Sequence, residues 1–193
     1  MITPLAWALK EWQVAVAALL AGQTVVLLRK GGLREERGRF ALAARQVLLL
    51  PTLEHQTAAL LKDEFHPLAA ADSADDGLVR FTGWATITHA LPLTTEAEVA
   101  ALLPHLVWNE RFIAERLNWQ PQRPLYGLLL RAYRLEAPLV LPRHAGYGGC
   151  RSWVELGQTV AVDDSAAALN EADYQAQVSA ILLALPAVVP VIP

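Results

Sequence analysis

Two short apolar runs, Thr24–Arg29 and Gln46–Leu50, most constrain what this chain can fold into. Both are rich in Val and Leu and end at breakers, Gly31-Gly32 in one case and Pro51-Thr52 in the other. Runs of that length and composition, bounded by turn residues, read as strands. Each strand also ends in chemically capable residues. Arg29-Lys30-Gly31-Gly32 closes the first, and Glu54-His55-Gln56 follows the second. Strand ends are rigid and the loops beyond them face water, so a site is expected there.

The remaining elements follow from spacing. Leu5, Leu9, Trp12, Val16 and Leu19, closed by Gly22, predict a first helix over residues 5–21. Leu33–Gly38 reads as a charged loop and Arg39–Ala43 as a further strand. Thr52 is expected to open a second helix with Leu53, Leu60, Leu61 and Phe65 inside, before a polar loop at Ala69–Gly77. Leu78–Leu91 predicts a long strand with Phe81, Gly83, Ala85, Ile87 and His89 on one face and a bulge at Gly83. Thr95 and Glu98 have capping-box spacing, and Asn109 and Asn170 read as helix caps. Leu125–Leu135 is a strand, Pro138–Pro142 a separate extended piece, and Trp153–Val162 two short strands around Gly157.

Strands here do not alternate with crossover helices, which argues against a doubly wound parallel sheet. The expected class is α+β, a small mixed or antiparallel curved sheet or barrel with surrounding helices. It is read as a single domain, 1–193, with 1–77 and 78–162 contributing two halves and a C-terminal helix over 170–185.

Composition narrows the function classes. At 54% hydrophobic and 18% charged residues the chain can bury a sizeable core. Sixteen basic against nineteen acidic residues, net −3, give no global basic field for nucleic acid, although a local patch stays open. One cysteine, Cys150, forms neither an internal disulfide nor a Cys-based zinc site. Lys10 and Glu11 interrupt the first apolar stretch, so neither a signal peptide nor a membrane span is read. The expectation is a cytoplasmic protein with no cofactor, no metal and no membrane association. Its oligomeric state is left open.

Three segments carry candidate chemistry. Arg29 and Lys30 end a strand beside two glycines, where backbone N–H groups and a guanidinium can hold phosphate, but the P-loop spacing is absent. Glu35, in the charged loop beyond, is a further ligand-binding candidate; the plain alternative for the segment is a hairpin turn with solvated charges. Glu54 and His55 are the catalytic candidates, as base and orienter or as two metal ligands; the plain alternative is a helix start. Gly148-Gly149-Cys150-Arg151-Ser152-Trp153 offers a free backbone, a cation, a hydroxyl and a ring for stacking. A covalent role for Cys150 needs a depressed pKa and a partner such as His144. Arg131, with Tyr133, adds basic surface on a strand. His66, His89 and His105 read as structural, and Trp84, Trp108 and Trp119 as core.

Four motifs taken together resemble the bacterial and archaeal domain-of-unknown-function family numbered 1802. They are Ala8-Leu9-Lys10-Glu11-Trp12, Leu28-Arg29-Lys30-Gly31-Gly32, Pro51-Thr52-Leu53-Glu54-His55-Gln56 and Gly148-Gly149-Cys150-Arg151-Ser152-Trp153-Val154, within residues 5–157. The resemblance implies an association with restriction–modification, since some members resemble fusions to a restriction-endonuclease-type domain. Nothing after residue 157 looks like such a domain. The strand arrangement is also similar to the small nucleic-acid-binding barrels of the pseudouridine-synthase-and-archaeosine-transglycosylase (PUA) type.

Three function classes follow. One is a nucleic-acid-binding or modified-base-sensing module whose partner is DNA or RNA. Another is a hydrolase or nuclease using Glu54 and His55, although the Pro-Asp…Asp/Glu-x-Lys nuclease constellation is missing. The third is a subunit that binds protein partners without catalysis. The sequence decides neither for nor against an enzyme.

Overall fold

The computed structural model describes residues 4–30, 34–36, 39–69, 76–119, 121–122, 125–149 and 151–190, with backbone alone at 34–36 and 39–41. Gly31, Gly32, Cys150, most of the polar loop before Gly77 and the side chain of Glu35 lie outside the described residues. The strands are β1 (Leu5–Trp12), β2 (Val26–Lys30), β3 (Arg34–Glu36), β4 (Arg39–Ala41), β5 (Gln46–Thr52), β6 (Leu78–Leu93), β7 (Leu125–Pro142), β8 (Trp153–Val160) and β9 (Ser165–Ala167). The helices are α1 (Gln13–Leu20), α2 (Glu96–Leu102), α3 (Glu110–Asn118) and α4 (Glu171–Ala184).

One sheet runs in the order β2-β7-β6-β5-β1-β8, with β9 alongside β7, while β3 and β4 pair as a separate hairpin. β1 and β5 are parallel, with Ala8 opposite Leu48 and Trp12 opposite Thr52. The other pairings are antiparallel. The protein is thus α+β, built on a mixed sheet with helices around it. The C-terminal ends of β1, β2 and β5 meet at one end of the sheet, and the first residues of β8 arrive beside them.

The predicted helix over 5–21 is a correction. Residues 5–12 are a strand, and the helix begins only at Gln13. β1 is covered on both faces: Leu9 and Trp12 join the larger apolar core, Leu5 and Ala8 a smaller one. A strand buried on both sides loses its polar alternation, so its apolar residues merge with those of α1 into one helix-like pattern.

The helix expected from Thr52 is replaced by short 3-10 turns at Ala58–Leu60 and Asp63–Leu68. Thr52 Oγ1 accepts the Glu54 N–H at 3.1 Å, a local turn that competes with a helix cap. His55 then takes φ +62°, which no α-helix accommodates.

Other expectations hold with changed limits. Thr95 and Glu98 form the capping box, and Asn109 and Asn170 cap α3 and α4. β7 runs unbroken through Pro138, because that proline falls where the ladder is already interrupted, between the pairs Gly83–Arg134 and Phe81–Leu139. The same shift redirects the faces of β6. Phe81 and Trp84 fill the smaller core, whereas Ala85 and Ile87 fill the larger. Trp153–Val160 is one strand, not two. No helix among the described residues is long and apolar enough to cross a membrane.

Gly83 sits against the Leu20 side chain and the Tyr133 carbonyl oxygen so closely that a Cβ there collides with both. Backbone cannot yield as a flexible side chain does. Gly83→Ala is expected to destabilise the fold by about 1–3 kcal/mol, the usual cost of overpacking, in a urea titration. A wild-type midpoint rules this account out.

Candidate functional site

Lys10 and Glu11 stand next to each other near the end of β1, and both are only 7% exposed. Buried charges persist only when paired. Lys10 Nζ donates to Glu54 Oε2 at 2.6 Å and to the Gly149 carbonyl at 3.0 Å. Glu11 faces Arg29 at 3.0 Å and also accepts the Trp12 N–H at 2.7 Å. Arg29 donates in addition to the Lys10 carbonyl and to Ser152 Oγ, the latter at 3.2 Å. The Lys10 N–H donates to the Ser152 carbonyl at 2.8 Å. These contacts tie β1, the end of β2, the turn after β5 and the approach to β8 into one unit.

That unit floors an open cleft of about 550 Å³. Arg29, Lys30, Glu54, His55, Gly149, Arg151 and Ser152 all line it, so the three candidate segments converge on one site. His55 is the only non-glycine residue with positive φ among those described, a strained conformation at the cleft edge. Lys30 Nζ reaches the Arg116 and Leu117 carbonyls at 2.8 and 2.9 Å. A cation there satisfies the unpaired carbonyls and the dipole at the end of α3. Burial lowers the Lys30 pKa, and nearby Arg116 lowers it further.

α3 supplies the opposite wall with Phe112, Glu115, Arg116 and, just past its end, Trp119. The Arg116 guanidinium lies 4.8 Å from the Phe112 ring and 5.8 Å from the Trp119 ring. Burial lowers its pKa, while Glu11 acts in the opposite direction. Five cations line the cleft (Lys10, Arg29, Lys30, Arg116, Arg151) against three carboxylates (Glu11, Glu54, Glu115). A chain of net charge −3 therefore concentrates positive charge here.

Other candidates lie elsewhere. Arg131 pairs with Glu171 and lies over the Tyr174 and Tyr133 rings, away from the cleft. Trp153 pairs with Leu9 and packs on the larger core, and neither it nor Gly148 lines the cleft. His144 contacts the Tyr147 ring at 3.8 Å and accepts the Gly146 N–H at 3.1 Å. His89 bonds Thr88, and His66 the Ala58 carbonyl. Among the described residues no three His, Cys, Asp or Glu side chains are grouped to hold a metal.

Sequence reasoning missed Lys10, Glu11, Phe112, Glu115, Arg116 and Trp119 among the lining residues. Lys10 and Glu11 were legible as adjacent opposite charges inside an apolar run, a sign of buried partners. Arg116, in the last turn of α3, and Trp119, just past it, stand at i,i+3 spacing. Trp84 and Trp108 are core, but Trp119 is 46% exposed at the cleft.

Arg29→Met leaves Glu11 buried and uncompensated. It is expected to cost about 3–5 kcal/mol in a urea titration, with much of the loss restored in the double variant Glu11→Met/Arg29→Met. Equal losses in the single and double variants contradict this.

Comparison with known proteins gives two findings. The model of the family described as "Domain of unknown function (DUF1802)" matches residues 8–180. The structure is similar to ASCH from Zymomonas mobilis at 12% identity, covering 90% of this chain and 93% of that one, with a TM-score of 0.43. Two mutants of that protein match at 13% identity, one covering 90% of this chain and 96% of its own with a TM-score of 0.42, the other 92% and 98% with 0.43. No curated protein matches.

Proposed function

We propose that this chain, which belongs to the domain-of-unknown-function family DUF1802, binds nucleic acid in the cleft at the ends of β1, β2 and β5. The observation that carries this is convergence. Segments distant in sequence (β1, the end of β2, the turn after β5, the end of α3 and the approach to β8) bring an excess of cations and an exposed indole to one concavity. Excess positive charge attracts a polyanion, and an exposed ring stacks on any base. The pairing of β1 with both β5 and β8 supports the reading of the chain as a single domain. In its finer form, the cleft discriminates a modified base for a restriction or other defence system.

Arg151 is the cation to test first, being exposed and without an ion-pair partner among the described residues. Arg151→Ala is expected to weaken oligonucleotide binding at low salt and to reduce the log–log salt slope by about 1. Absence of binding to any DNA or RNA, modified or not, sinks the proposal.

A second reading, a hydrolase or nuclease using Glu54 and His55, is favoured by the strained backbone at His55. It competes with the ion pair that already occupies Glu54. Cleavage of an oligonucleotide that is lost in Glu54→Gln supports it.

A further inference from the structure

Charge is distributed unevenly with depth in the cleft. At the floor, the buried Arg29 is neutralised by Glu11, and the buried Lys10 by Glu54, which reaches down to it from a half-exposed position. A phosphate placed there meets two carboxylates. Yet the floor retains hydrogen-bonding capacity. Lys10 has three N–H donors and spends two, on Glu54 and Gly149. Glu54 receives Lys10 on Oε2, and no donor among the described residues takes Oε1. A spare donor and a spare acceptor on a neutral floor suit an uncharged heterocycle edge.

The rim differs. Trp119 is exposed there, and Arg151 has no balancing carboxylate among the described residues. About 550 Å³ is room for one nucleotide.

We infer that the cleft takes a single unpaired nucleotide base-first. The base edge meets Lys10 and Glu54, its face meets Trp119, and its phosphate stays at the rim with Arg151. This rests on the nucleic-acid reading above and deepens it. In a duplex the pairing edge is already used, so the ligand is a single strand or a nucleotide swung out of a helix.

The test uses the full chain with a short single-stranded oligonucleotide, its matched duplex and the same duplex carrying one mismatch. Ribose 5-phosphate and nucleoside monophosphates serve as competitors. The single strand is expected to bind at least about tenfold more tightly than the matched duplex, with the mismatched duplex between them. Nucleoside monophosphates compete and ribose 5-phosphate does not. Trp119→Ala, at an exposed position, is expected to weaken single-strand binding by about tenfold or more while circular dichroism is unchanged. Glu54→Gln, half-exposed, is expected to weaken it as well. Equal affinity for strand and matched duplex overturns the base-first inference and leaves nucleic-acid binding standing. So does competition by ribose 5-phosphate as strong as by the nucleotides, or wild-type affinity in Trp119→Ala. Failure of every oligonucleotide to bind overturns both.

Discussion

The Arg29–Glu11 pair spans the open side of the sheet. β2 is one edge and β8 the other, with β1 next to β8, and no ladder joins β2 to β1 or β8 among the described residues. Arg29 bridges that opening with its side chain, reaching Glu11, the Lys10 carbonyl and Ser152. The guanidinium is 14% exposed and the carboxylate 7%. Two such charges gain little net stability from each other, since desolvation offsets their attraction. What they supply is position: neither can leave without stranding the other. The cleft floor inherits that rigidity, because Lys10 and Ser152 hang from the same cross-brace.

Where polar and apolar roles were local, the sequence was a good guide. The caps at Thr95, Asn109 and Asn170 depend on residues three or fewer apart, and they formed where the spacing placed them. The ends of β2 and β5 were legible because short apolar runs stopped abruptly at charged residues. The failures were nonlocal. β1 looked helical because two separate cores cover it, a fact that depends on α1, β6 and β8. Thr52 looked like a cap because its hydroxyl does accept a nearby N–H, but the chain then turns at His55. Arg131 looked like free basic surface because Glu171 is far away in sequence.

The same distinction separates the site residues. Glu54, His55 and Arg151 were visible as polar residues in breaker-rich loops. Trp119 was not, since an aromatic residue at a helix end has the same signature whether it faces core or water. Lys10 and Glu11 carried the strongest signal, two opposite charges inside an apolar stretch, but their partners could be assigned only once the fold brought Glu54 and Arg29 alongside.

The position of β1 also bears on how the protein is made. Leu9 pairs with Trp153, so β1 leaves the ribosome well before its partner β8. At synthesis rates of about 5–20 residues per second the delay is on the order of 10 s. During that interval a strand apolar on both faces has only β5 as an early neighbour, and Lys10 and Glu11 are then its only charges. Opposite charges embedded in such a strand discourage its sticking to other nascent chains. The residues that floor the cleft in the finished protein are thus also the charges that interrupt an otherwise apolar strand while it waits for its partner.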